Sequence, residues 1–97
     1  MLRFEWDPVK DTANQRKHGI GFSFAQRVFA DPCAIDEQNR IEGNEPRWRL
    51  IGAVAEAILV VVFSWDIQHD GSETIRIISA RVAKPVERRR YWRDRLG

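Results

Sequence analysis

The side chains of this 97-residue chain that could do chemistry are arginine, lysine, histidine, glutamate and tyrosine, and they fall in a few short constellations. Lys17 and His18 are adjacent, just before Gly19. Glu45 and Arg47 are two apart, so in an extended segment they share a side, because strand side chains repeat every two residues. Arg76 and Arg81 lie in one apolar run, and five positions between them predict opposite faces of a strand. Glu87 and Tyr91 are four apart and share a helix face. Together these types suit a phosphodiester: a base to take a proton from an attacking hydroxyl, cations to stabilise a crowded phosphorane, and an acid for the leaving oxygen. On RNA the neighbouring 2′-hydroxyl can be the nucleophile, and aromatic side chains can stack on bases.

Each constellation also has a structural reading. Cations at a helix C-terminus are favoured by the macrodipole, which accounts for Lys17 and His18 without catalysis. Glu45 and Arg47 could form a surface ion pair of little energetic weight. Tyr91 could be a core residue with its hydroxyl at the rim. Trp48, flanked by Arg47 and Arg49, is the tryptophan best suited to stacking on a base. Arg81 ends its run, where a side chain can reach a cleft.

Other chemistries lack their parts. There is no glycine-rich phosphate loop, nucleophile elbow or metal-ligand spacing. The single Cys33 excludes an internal disulfide, and His18 and His69 stand in unrelated contexts, so neither a metal nor a cofactor is expected. Leu50 to Trp65 is the longest apolar stretch, but Gly52 and Glu56 interrupt it short of the roughly 20 residues a membrane span needs. The acidic, aromatic N-terminus does not resemble a secretory signal, which predicts a cytoplasmic protein.

The formal net charge is only +2, yet thirteen of the sixteen basic residues are arginine, the cation whose planar fork grips phosphate. The charges are segregated. Residues 31 to 45 are acidic, whereas residues 84 to 95 carry Lys84, Arg88, Arg89, Arg90, Arg93 and Arg95 against two acids. The basic run could be a solvated helix face or a footprint for an anionic partner.

These residues need a scaffold, and a chain of this length holds one domain. Arg3 to Trp6 predicts an edge strand. Asp7-Pro8 and Gly19 bracket a first helix, Pro8 to His18. Ser23 and Gln26 have capping-box spacing for a second helix, Phe24 to Ala30, which Asp31-Pro32 would stop. Arg47 to Val54, Ile58 to Trp65 and Thr74 to Arg81 read as an antiparallel meander, with Cys33 to Asn39 a candidate further strand. Pro85 opens a last helix to Leu96 whose apolar edge would be Trp92 and Leu96. The expected class is α+β: two N-terminal helices on an antiparallel sheet of about four strands, then a C-terminal helix.

Longer strings carry a resemblance. Phe4-Glu5-Trp6-Asp7-Pro8, Lys10, Asn14, Lys17-His18-Gly19-Ile20, Phe22, Ala25, Val28-Phe29 and Asp31 are similar to the BrnT toxin family. So are Glu45-Pro46-Arg47-Trp48, Ile51-Gly52, Val60 to Phe63, Ile75-Arg76-Ile77-Ile78-Ser79-Ala80-Arg81 and Glu87-Arg88-Arg89 with Tyr91, in the same order. Gly21 and Pro46 depart from the pattern without removing a reactive group. The resemblance implies a RelE-like ribonuclease fold and a bacterial type II toxin that cleaves RNA and blocks translation. It also implies a cognate BrnA-like antitoxin, with operator DNA touched mainly through the antitoxin in a repressing complex. The residues that would carry this are His18, Lys17, Glu45, Arg47, Arg81 and Tyr91 for catalysis, and Trp48, Arg49, Arg76, Arg88, Arg89 and Arg93 for RNA binding. Two other readings use the same residues. One is a module that binds RNA or DNA through the arginine-rich last helix without cleavage; the other is a protein-binding domain whose basic tail meets an acidic partner.

Overall fold

The computed structural model describes residues 1–42 and 45–96. Strand β1 (Leu2–Glu5) leads into helix α1 (Pro8–His18), a short helix α2 (Phe22–Ala25) and a 3-10 helix (Gln26–Ala30). Strands β2 (Ile35–Glu42), β3 (Glu45–Val54), β4 (Ala57–Ile67) and β5 (Glu73–Val82) follow, and helix α3 (Pro85–Leu96) closes the chain. Among the described residues no helix is long and apolar enough to cross a membrane.

The punctuation expected around α1 is present: the Asp7 carboxylate accepts from the Val9 amide at 2.9 Å, and Gly19 caps the helix in the left-handed region at φ 72°. The second helix differs from expectation. It starts at Phe22 with Gly21 as N-cap, so Ser23 falls inside the first turn and caps nothing, and it tightens into the 3-10 segment after Ala25. Phe22, Ala25 and Val28 are all buried in the layer against the sheet.

The sheet is mixed and has five strands in the order β1-β5-β4-β3-β2, not about four antiparallel ones. The meander β3-β4-β5 is as expected, and β2 adds to it antiparallel. The difference is β1, which pairs parallel with β5 from Leu2 opposite Glu73 to Glu5 opposite Arg76. No hairpin turn joins these partners, so no local turn chemistry could announce their direction.

Each face of the sheet has its own apolar layer. One carries α1, α2 and the 3-10 helix on Leu50, Leu59, Val61, Phe63, Ile75, Ile77 and Ala80. The other carries α3 on Ile51, Ile58 and Val60, with Ala83 and Tyr91. Buried Asn14 ties α1 to β5: its amide nitrogen donates to Ala80 O at 2.8 Å and to Ile20 O at 2.9 Å, and its oxygen accepts from Ala80 N at 3.2 Å. Gly52 is required by a close approach, since a Cβ there would lie 2.7 Å from Val28 Cγ2 and 3.2 Å from Asp31 Oδ2.

Two further expectations change. Opposite β4, the register of β5 shifts between Ser79 and Ile77, making Ile78 an extra residue. The bulge restores parity, so Ile75, Ile77 and Ala80 share the helical layer, and Arg76 and Arg81 lie on the same face instead of opposite ones. In α3 the inward residues are Glu87 and Tyr91, while Trp92 is 42% exposed. The side chain of Leu96, expected beside Trp92, lies outside the described residues.

Candidate nucleic-acid interface

The α3 side of the sheet collects the arginines. On β3 the two-residue repeat puts Arg47 and Arg49 on the same face as Ile51, and on β5 the bulge puts Arg76 and Arg81 there. Helix α3 crosses part of this face and brings Glu87 down onto it. Arg81 grips the Glu87 carboxylate with both ends of its fork, Nη1 to Oε1 at 2.7 Å and Nη2 to Oε2 at 2.9 Å. Arg49 Nη1 reaches the same carboxylate at 3.5 Å. The Lys84 amide also donates to Glu87 Oε1, at 2.8 Å, closing the first turn of α3.

A second carboxylate extends the pattern. Glu37, paired with Arg49 across β2 and β3, accepts from Arg49 Nε at 2.9 Å and from Arg90 Nη2 of α3 at 2.9 Å. Charges therefore alternate from Arg90 through Glu37, Arg49 and Glu87 to Arg81. Hydrogen bonding from Arg81 holds the Glu87 carboxyl at about 2, against the opposing effect of burial. Glu37 is likewise lowered, by Arg90 first and then Arg49. Both carboxylates are ionised at neutral pH, which makes them anchors for guanidinium groups and weak proton acceptors.

Beyond α3 the same face continues as an open cleft of about 720 Å³ whose lining includes Arg3, Glu5, Glu45, Ser64 and Arg76. Glu45 is exposed there, and Arg76 stands 3.5 Å from Glu5, both about half exposed. Arg47 Nε is buried and has no hydrogen-bond partner among the described residues, which leaves a donor unused.

Tyr91 is in the core, 1% exposed, and its hydroxyl donates to Asp31 Oδ2 at 2.6 Å. Burial first, and then the Asp31 carboxylate, push the tyrosine up to about 12. Burial would raise Asp31, but the Ala53 amide at 2.8 Å, the Tyr91 hydroxyl and the Cys33 amide at 2.9 Å together lower it. Asp31 thus links the 3-10 helix, β3 and α3, a role that neither its place before Pro32 nor its place in the family-like string predicted.

The expected site residues are not all in one place. Arg47, Arg49, Arg76, Arg81 and Glu45 share the α3 side. Lys17 and His18 belong to α1, on the other side of the sheet. Trp48 points away from its flanking arginines, because successive strand residues alternate; it packs on the helical layer, edge-on to Trp65 at 6.4 Å. Arg88, Arg89 and Arg93 are exposed on α3. Sequence reasoning missed Glu37 and Arg90, whose partners come from β3 register and helix docking. Among the described residues, no three His, Cys, Asp or Glu side chains converge as metal ligands would.

A small α+β domain with an arginine-lined sheet face crossed by a C-terminal helix defines the class of this protein. Within that class, the family described as the ribonuclease toxin, BrnT, of type II toxin-antitoxin system matches residues 6–87, and this chain belongs to that family. No curated protein matches the chain. Membership implies an RNA target and an antitoxin partner.

Proposed function

We propose that the chain is a toxin that cleaves RNA by attack of a 2′-hydroxyl on the adjacent phosphodiester, without a metal ion, and so inhibits translation. The observation that carries this reading is the convergence of Arg49 and Arg81 on one carboxylate. A carboxylate and a pair of phosphoryl oxygens present the same acceptor geometry to a guanidinium fork. Where Glu87 yields, a phosphate takes its place.

On this reading Arg81 stabilises the phosphorane, with Arg49 beside it. Arg47, with its unused donor, and Arg76 hold the flanking backbone along the cleft. A base takes the 2′-hydroxyl proton, O2′ bonds to phosphorus, and the P–O5′ bond breaks as the leaving oxygen gains a proton; Glu45, further along β3 in the separate cleft with Arg76, holds flanking RNA instead of serving as that base. The products are a 2′,3′-cyclic phosphate and a 5′-hydroxyl. Tyr91 positions α3 through Asp31, in place of the proton-donor role its type suggested. Lys17 and His18, across the sheet, contact RNA outside the cleavage point.

The reading extends to a BrnA-like antitoxin that neutralises the toxin in the cytoplasm, the complex repressing its operon through antitoxin contacts to DNA, and to a RelE-like ancestry for the fold. The test is cleavage of a defined RNA in EDTA by the purified chain. Fragments ending in cyclic phosphate, and resistance of an RNA with 2′-deoxyribose at the cleaved position, are expected. Equal cutting of the deoxy-substituted strand, or complete inhibition by EDTA, would overturn the mechanism. Binding without any cleavage would favour a nucleic-acid-binding module acting through Arg88, Arg89 and Arg93.

A further inference from the structure

The arginines of α3 divide into two sets. Arg90, on the flank facing the sheet, is neutralised by Glu37 at 2.9 Å. Arg88 and Arg89, on the outer side, have no ion pair among the described residues, and Arg93 meets only its neighbour Asp94, at 3.3 Å. Among these cations Val86, in the first turn of α3, is left 62% exposed. Arginine is enriched at protein interfaces, and here arginines outside the Glu37 and Glu87 network surround an exposed aliphatic side chain.

The surface is also shaped. A groove of about 370 Å³ runs between Arg49, Val86, Arg89 and Arg93, and a shallower one of about 570 Å³ between Pro85, Arg88, Arg89 and Trp92. Arg89 is the ridge common to both. The first groove opens beside Arg49 and Glu87, so whatever fills it stands against the arginine pair assigned above to the phosphate.

We propose that this outer face of α3 is the docking surface of the antitoxin, and that the docking element is an acidic segment carrying aliphatic side chains. Its carboxylates meet Arg89 and Arg93, and its aliphatic groups cover Val86 and the groove beside Arg49. RNA fits the charges but not the rest of the surface. Bases reward stacking on aromatic faces, whereas the first groove is lined by arginines, Glu87 and Val86 with no aromatic ring, and one face of Trp92 is already covered by Arg95, whose guanidinium lies 5.2 Å from the ring centroid. A segment seated here blocks RNA from the Arg49 and Arg81 pair without needing to enter it. The assignment rests on the toxin-antitoxin reading and adds the surface and the chemistry of the partner.

The test is association of the purified chain with its co-expressed antitoxin, separated in denaturant and refolded, followed by stopped flow across a series of NaCl concentrations. Arg89→Glu with Arg93→Glu is expected to slow association at least tenfold at low salt and to flatten its salt dependence, since charge acts mainly on the encounter. Val86→Asn is expected to leave association nearly unchanged and to speed dissociation severalfold. Thermal melting of each variant confirms the fold, and Arg89→Ala with Arg93→Ala replaces the reversal if it fails to fold. A single-stranded RNA oligonucleotide is titrated against the same proteins. Antitoxin rates matching wild type would overturn the interface, and a loss of RNA affinity with unchanged antitoxin rates would assign the face to RNA. Failure of the wild-type chain to bind the antitoxin at all would instead remove the partnership on which the assignment rests.

Discussion

Arg81 on β5 and Glu87 on α3 are joined by two parallel hydrogen bonds, at 2.7 and 2.9 Å, across the point where the last strand hands over to the last helix. The pair is six residues apart in sequence and ties α3 to the sheet whose cationic face the helix crosses. Arg81 is therefore both the best candidate for meeting a phosphate and the residue already holding the best internal stand-in for one.

This dual position separates the two variants of the pair. Arg81→Ala is expected to abolish RNA cleavage, because a stabiliser of developing charge typically contributes about 2.7–4 kcal/mol to the barrier. It is also expected to lower stability by about 2 kcal/mol, less than for a fully buried pair, since the Arg81 side chain is 29% exposed. Glu87→Gln keeps the residue's shape but removes the charge that pairs Arg81 and Arg49, and is expected to lose stability while retaining binding to RNA. The checks are cleavage assays and urea melts of both variants. Normal cleavage by Arg81→Ala would make Arg81 an anchor alone.

The same pair sets an acid limit. Glu87 titrates near 2 in the folded chain, below its ordinary value of 4.5, so it favours the folded state fully above pH 4.5. That contribution falls away as pH drops from about 4.5 through about 2, to the extent of roughly 3 kcal/mol. Glu87→Gln should flatten stability against pH across this window relative to wild type; parallel curves for the two proteins would count against the ion pair.

Asp31 and Tyr91 should be coupled. Asp31→Ala leaves the Ala53 and Cys33 amides and the Tyr91 hydroxyl without their acceptor, and a loss of about 2–4 kcal/mol is expected. Tyr91→Phe removes one bond from the same carboxylate and should cost about 1 kcal/mol. Because both act through one hydrogen bond, the double variant should fall short of the sum by at least about 0.5 kcal/mol in a double-mutant cycle.

Asn14 offers a sharper substitution. In Asn14→Asp the nitrogen that donates to Ile20 O and Ala80 O becomes an oxygen facing two carbonyls. The expected loss is about 3 kcal/mol or more at neutral pH, easing on acidification as the carboxyl takes up a proton and can donate once. Stability that did not recover in acid would point to some other defect.

The α+β class, the caps of α1, the three-strand meander and the proline-led α3 were all legible in the chain, because local chemistry specifies them. Asp7 and Pro8 start a helix by themselves, and Gly19 ends it. The parallel pairing of β1 with β5 was not legible, since no turn links the two strands. Nor was the Ile78 bulge, which moves Arg76 and Arg81 onto one face against simple alternation. Trp48 shows the converse: its flanking arginines suggested a shared surface, and the strict alternation of β3 put it on the other side. In α3 the periodicity of apolar residues pointed to Trp92, yet the helix turns Glu87 and Tyr91 inward, because Arg81, Arg49 and Asp31 wait on the sheet side to satisfy them. The sequence by itself determined which cationic and proton-transfer side chains this protein has and its resemblance to the BrnT toxin family. Only the tertiary structure decided which of them meet, because ion pairs between distant segments depend on strand register and helix docking, and these are settled by packing the whole chain at once.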